Sequence, residues 1–290
     1  MLSGANNALF RGKKSLFRQA HKMARAKRHY IPGHVWYLTH RCHKREFLLK
    51  FAKDRRRWLH WLLEAKRRYG LVILNYMVTS NHIHLLVVDD GNRDVIPRSI
   101  QLVAGRTARE YNKRKRRKGA FWEDWYHATA VESGEHLLQC IVYIDVNMVL
   151  AGSVSRPSEW PFSGYKEIQD PRRKCALIAY ERLMELVGFD TYNQLQTAHR
   201  DWVNDSLVQG RSVYDSKWTR SIAVRSEHFV HKTKKELSAR AKGRVVLKSA
   251  EAFQLREPGV SYLIDFDPKN NDIGAEKGYF WNTNVDISIC

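Results

Sequence analysis

The sequence predicts an α+β domain, an antiparallel sheet covered on one face by helices in a ferredoxin-like or RRM-like plan. Three observations carry this: short β-branched and aromatic segments, longer segments of helical period between them, and the order strand, helix, strand, strand, helix, strand, helix. Val35-Trp36-Tyr37-Leu38-Thr39 reads as the first strand. Lys50 to Tyr69 has helical spacing, with Phe51, Trp58 and Leu62 and the neighbouring Leu59 and Leu63 on one side, basic residues opposite and Gly70 as terminator. Val72 to Val78 and His82 to Val88 are two strands separated only by Thr79-Ser80-Asn81, a turn short enough to make them an antiparallel hairpin. A helix is expected from Pro97 to about Lys118, stopped by Gly119, then a strand from Trp125 to Val131 and a helix from Glu135 to Leu150 before Gly152.

Beyond the proline segment Arg156 to Phe162 the pattern becomes short helices, Ala176 to Val187, Thr191 to Val208 and Ser226 to Lys242, with no expected strands. The chain therefore divides into a basic arm (1–28), an α+β domain (29–168), a basic helical extension (169–245) and a tail without sustained periodicity (246–290). The 290 residues suffice for one large domain or two modest ones.

Fifty Lys+Arg against thirty Asp+Glu give a net charge of +20, which points to polyanionic partners, nucleic acid first. Four cysteines without regular spacing indicate neither a disulfide framework nor a cysteine zinc site, and a cytoplasmic location fits. No apolar run approaches the roughly 20 residues that cross a bilayer. Residues 1–28 hold eight Lys/Arg and no acid. Nine more lie between Arg98 and Lys118, among them Arg106, Arg109 and the unbroken run Lys113, Arg114, Lys115, Arg116, Arg117 and Lys118, and eight lie between Arg220 and Arg244. Three runs of one sign suggest a surface that tracks phosphates. Trp36, Tyr37, Trp122, Trp125 and Tyr126 are candidates to stack unpaired bases, unless they are core.

The sharpest local signal is His82-Ile83-His84. On a strand both imidazoles share one face with Cα atoms roughly 6.6 Å apart, close enough to lean onto one metal ion, though two hydrogen-bonded histidines would read the same way. In the helix 135–150, Leu137, Ile141, Ile144 and Met148 form an apolar stripe, whereas His136, Gln139, Tyr143 and Asn147 occupy another face. Asn147 is a candidate third ligand, with the Tyr143 phenol one turn, about 6 Å, back along the axis. Neutral ligands would leave a cation's full charge to polarise a phosphodiester, and a phenol beside it could attack phosphorus; as core residues the two would do nothing of the kind. Tyr111 is a rival nucleophile, but its neighbour one turn on is Lys115, which cannot ligate a cation. His40, Cys42 and His43 form another possible cluster, more simply read as a surface strand.

Asn81-His82-Ile83-His84-Leu85-Leu86-Val87 resembles the histidine–hydrophobe–histidine (HUH) signature, and Tyr143-Ile144-Asp145-Val146-Asn147 resembles the nucleophile helix of the REP-associated tyrosine transposases. Phe121-Trp122-Glu123-Asp124 and Ser158-Glu159-Trp160-Pro161-Phe162-Ser163 add to a likeness that covers about residues 29 to 168, with a weaker one at Ser226 to Arg244. The resemblance implies an HUH fold and a bacterial, nucleoid-associated transposase. It implies His82, His84 and Asn147 as metal ligands, Tyr143 as nucleophile and Mg²⁺ or Mn²⁺ as cofactor. The implied reaction nicks and joins single-stranded or hairpin DNA through a 5′-phosphotyrosine and a free 3′-hydroxyl. The protein would be a monomer or homodimer, with no membrane and no small-molecule substrate. Met148 and Leu150 stand where the family commonly has proline and a basic residue. The alternative is a non-catalytic nucleic-acid-binding protein on an RRM-like sheet.

Overall fold

The structure, a computed structural model, describes residues 31–123, 125–208, 217–248 and 252–257. The predicted basic arm and residues 258–290 of the tail lie outside them. The strands are β1 (Val35–Arg41), β2 (Val72–Val78), β3 (His82–Val88), β4 (His127–Val131), β5 (Ala223–Arg225), β6 (Val245–Lys248) and β7 (Phe253–Arg256). The helices are α1 (Ala52–Tyr69), α2 (Val95–Arg114), α3 (Glu135–Leu150), α4 (Tyr165–Gln169), α5 (Tyr180–Val187), α6 (Tyr192–Val208), α7 (Lys217–Arg220) and α8 (Glu227–Leu237). The strands form one mixed sheet in the order β2-β3-β1-β4-β5-β7-β6.

The antiparallel block β2-β3-β1-β4 is the expected ferredoxin-like sheet, with β1 opposed to both β3 and β4. β1 and β2 are both antiparallel to β3 and so parallel to each other, and the same holds for β3 and β4 about β1. Helices α1 and α2 make the two crossovers, and a common handedness puts both on one face, where they pack together. The Trp122 indole, stacked on His40, donates to the Ala104 carbonyl of α2 on that face. Helix α3 returns to no adjacent strand directly and lies on the opposite face, where Asn75 of β2 donates to Asp145 and Tyr143 meets Tyr37 edge-on. Side chains alternate along β1, so Tyr37 and His40 point to opposite faces. The helices thus divide between the two faces instead of sharing one.

Three differences from the sequence reading have physical causes. Strand β5 extends the sheet where only helices were expected, and β6 and β7 add to it at the start of the tail that showed no periodicity, because segments of three or four residues are too short to show alternation. Helix α2 ends at Arg114, not near Gly119: Arg116 takes a left-handed φ of 48° and the Arg117 amide bonds back to the Asn112 carbonyl at 2.9 Å, a Schellman-type close. Phe51, expected on the packed stripe of α1, sits at the N-cap position and is 51% exposed, since the helix begins one residue later. Gly70 does terminate α1, with left-handed φ 71° and its amide on the Lys66 carbonyl.

Helix α3 is buried almost all round. Leu137, Ile141, Ile144 and Met148 are in the core as expected, while Val142 and Val146 pack against Val203 of α6. Between α3 and α6 the buried Asp145 and His199 pair at 2.8 Å. Asn75 Nδ2 adds a bond to Asp145 at 3.2 Å, and Gln169 one to His199 at 2.8 Å. The extension is therefore bolted to the back of the helix that carries Tyr143.

Candidate active site

His82 and His84 lie at the start of β3, opposite Arg41 and Thr39 of β1, with their imidazoles on the face that α3 covers. Both are buried, and their ring centroids are 4.7 Å apart. The Tyr143 ring lies 6.3 Å from His84 and 6.2 Å from Tyr37 and is only 7% exposed. Trp218 of α7 is 6.4 Å from Tyr143 on another side. The two histidines and the phenol, some sixty residues apart in sequence, thus share one neighbourhood because β3 and α3 are stacked. Asn147 is half-buried, one turn further along α3.

The turn before β3 fixes the His82 tautomer. Thr79 Oγ1 donates to the His82 carbonyl at 2.9 Å, and Asn81 Oδ1 can only accept, so His82 Nδ1–H donates to these two oxygens at 3.0 and 2.6 Å. His84 Nδ1 is held by the Tyr37 hydroxyl in a short hydrogen bond. Nε2 is then the nitrogen of His82 that would serve as ligand, and Nε2 of His84 would do so with its Nδ1–H donating to the Tyr37 hydroxyl; in both rings the Nδ1 partner sets the orientation. Burial pushes the His84 pKa down to about 3, with the Arg41 charge adding to it. Burial also pushes His82 well below the usual histidine range, followed by the charges of His84 and Arg41. Both imidazoles are therefore neutral near pH 7, the form that binds metal. Two neutral nitrogens with second partners fit a divalent-cation site needing one oxygen ligand; among the described residues no three His, Cys, Asp or Glu form a metal-binding group. An oxygen would come from Asn147 or from substrate and water.

Sequence reasoning read Thr79 and Asn81 as turn formers and Tyr37 as a possible base-stacking residue; all three are partners of the histidines. A hydroxyl or amide within three residues of each histidine, or diagonal to it across the strand pair, was the available signal. Other assignments change more. Trp36, Tyr37 and Tyr126 are core, Trp122 is partly buried against His40, and of the five aromatics proposed to stack bases only Trp125 is open, at 62% exposure. His40 and Cys42 are buried rather than on a surface strand, and burial raises the Cys42 thiol. Tyr111 lies on α2 against Phe121, on the opposite side of the sheet from His82 and His84.

The basic run is partly spent within the fold. Arg114 pairs with Asp54, Arg117 bonds Glu46 and the Ala120 carbonyl, Arg106 lies over the Trp61 ring and Arg109 bonds the Gly105 carbonyl. Of these four and Lys113, Lys115, Arg116 and Lys118, only Arg117 is half-buried; the others, Arg106, Arg109 and Arg114 included, are exposed.

Residues 27–147 match the family model for IS200-like transposases. This segment is similar to the IS200-like transposases. The match ends at Asn147 and so includes His82, His84, Tyr143 and Asn147. Among solved structures, the chain is similar to a REP-associated tyrosine transposase bound to a REP hairpin, with 21% identity over 53% of this chain and 90% of that one and a TM-score of 0.41. It is also similar to a candidate transposase of Deinococcus radiodurans, with 19% identity over 39% and 89% of the chains and a TM-score of 0.30. No curated protein matches. No helix among the described residues is long and apolar enough to cross a membrane.

Proposed function

We propose that the transposase segment cuts and rejoins single-stranded, hairpin-bearing DNA by transesterification, with Tyr143 as nucleophile. The observation that carries this is the Tyr143 ring 6.3 Å from His84, beside two neutral imidazoles on the sheet face. The phenolic oxygen of Tyr143 forms a bond to the scissile phosphorus and gives up its proton. The bond from phosphorus to the 3′ oxygen breaks, and that oxygen takes up a proton, leaving a 5′-phosphotyrosine and a 3′-hydroxyl. Attack by another 3′-hydroxyl reverses the step and joins strands without net hydrolysis. His82, His84 and Asn147 would hold Mg²⁺ or Mn²⁺, which supplies charge to polarise a non-bridging phosphate oxygen. Tyr37, Thr79 and Asn81 keep the imidazoles aimed. Exposed Lys113, Lys115, Arg116 and Lys118 would bind flanking phosphates.

Incubation of the full chain with an end-labelled hairpin oligonucleotide carrying single-stranded flanks, with Mn²⁺ or Mg²⁺, tests this. A denaturation-resistant protein–DNA adduct that disappears in Tyr143→Phe supports the reading; equal adduct in both proteins refutes it. The second reading, a non-catalytic DNA-binding module, draws support from the burial of Tyr143. It requires binding without any adduct.

A further inference from the structure

We infer that Phe51, together with the exposed lysines around it, is a stacking site for an unpaired base of single-stranded DNA at the entrance to the HUH end of the sheet. The inference rests on the DNA-processing reading above and adds to the basic run an aromatic ring that helical spacing assigns to the packed stripe of α1.

Phe51 occupies a position where a phenylalanine contributes little to folding. It is the N-cap residue of α1, with extended backbone (φ −90°, ψ 144°) and no side-chain capping bond, where Ser, Thr, Asp or Asn would satisfy a helix amide. A hydrophobic staple does not account for it, because that contact joins the residue before the cap to the fourth helical residue, here Lys50 and Arg55. The ring is 51% exposed. A single exposed apolar side chain is ordinary in itself; what distinguishes Phe51 is an aromatic at a cap position that satisfies no helix amide, with a lysine ammonium against its ring.

Its surroundings identify the ligand. The Lys115 ammonium lies 5.2 Å from the centre of the ring, and the exposed Lys53 at the start of α1 and Lys113, Arg116 and Lys118 at and just past the end of α2 belong to the two helix ends that the Arg114–Asp54 pair joins. The acids of this region are already engaged, Asp54 by Arg114 and Glu46 by Arg117, so the local field is cationic. An aromatic face bordered by lysines matches a base with phosphates on either side, and stacking on it is tolerant of sequence.

The backbone ties this patch to the catalytic end of the sheet. Leu49 N–H donates to the Ser80 carbonyl at 2.9 Å, and the buried Arg55 bonds the Lys50 carbonyl at 2.8 Å and Ser80 Oγ at 3.0 Å. Ser80 belongs to the turn that leads into His82. The carbonyl of Phe51 accepts the Asp54 amide at 2.9 Å, so the ring is mounted on a fixed turn. Phe51 and the turn that leads into His82 are thus joined at one end of the sheet, the ring beside the helix face and the histidines on the other.

The test uses the full chain without divalent ion, so that no strand is cut, and two fluorescent DNA hairpins, one blunt and one with a single-stranded flank containing 2-aminopurine. Wild type is expected to bind the flanked hairpin more tightly and to quench the 2-aminopurine. Phe51→Ser is expected to weaken the flanked hairpin about tenfold, to lose the quenching and to leave the blunt hairpin unchanged, while its melting temperature stays level or rises because serine caps α1. Phe51→Trp is expected to retain both affinity and quenching. Unchanged affinity of Phe51→Ser for the flanked hairpin, or a clear fall in its melting temperature, would overturn the inference. Equal binding of both hairpins by wild type overturns it while leaving the DNA-binding reading in place; binding of neither overturns both.

Discussion

At the scale of single residues, the site depends on how two buried imidazoles are kept neutral and oriented. Tyr37 holds His84 Nδ1, so Tyr37→Phe is expected to cost about 1–3 kcal/mol of stability and to lower cleavage about ten- to hundredfold. A rise in the Mn²⁺ concentration needed for half-maximal rate would separate loss of orientation from general damage. His84 also gives a pH dependence. Its pKa in the fold is about 3, against 6.5 for an ordinary histidine, so the unfolded chain binds a proton that the folded one excludes. Its contribution to stability is complete above pH 6.5 and is lost as pH falls toward 3. Urea titrations from pH 7 downward should therefore show falling stability, with a shallower fall in His84→Gln; parallel curves for the two proteins would contradict the assignment. The histidine pair and Tyr143 were legible because HxH on a strand fixes a shared face whatever the fold. Their partners were not, because Tyr37 reaches His84 only through the β1–β3 register.

At the scale of elements, α3 is positioned from behind as well as from the sheet. Asp145 is surrounded by Asn75 and His199, and nothing in its immediate sequence marks it as the hinge between domain and extension. Asp145→Ala would leave His199 and Asn75 buried without their acceptor, and is expected to destabilise the fold by about 3–5 kcal/mol in chemical denaturation. A change within about 0.5 kcal/mol would show that the pair is not structural. Gly164 serves the same network: its amide bonds the Tyr76 carbonyl, and a Cβ there would overlap Asn75 Oδ1. The bounds of β2, β3 and α3 could be read closely from periodicity because each is long and bracketed by turn residues. The three C-terminal strands could not, being at most two alternations long. Phe51 was misplaced for a related reason: helical spacing identifies residues that would share a face but not the residue at which the helix starts.

At the scale of the whole molecule, a net charge of +20 says that polyanions will bind but not where. The fold sorts these cations, pairing Arg114 with Asp54 and Arg117 with Glu46 and leaving Arg106, Arg109, Lys113, Lys115, Arg116 and Lys118 exposed. Replacing Lys113 and Arg116 by alanine should reduce the slope of log affinity against log salt by about 0.7–0.9 per charge removed, whereas replacing Arg117, half-buried and paired with Glu46, should change it little; equal slopes for all three would mean that the exposed cations touch no phosphate. Sheet order and charge placement put this surface and the histidine turn at one end of the domain, and the family match to residues 27–147 spans both. The central claim is that the phenol on α3 and the imidazoles on β3 form one reaction centre. Its most direct test is peptide mass mapping of the covalent species formed with hairpin DNA and Mn²⁺. The account requires the nucleotide 5′-phosphate on Tyr143, with the adduct lost in His82→Ala; a nucleotide on Tyr111, or an adduct indifferent to His82, would contradict it.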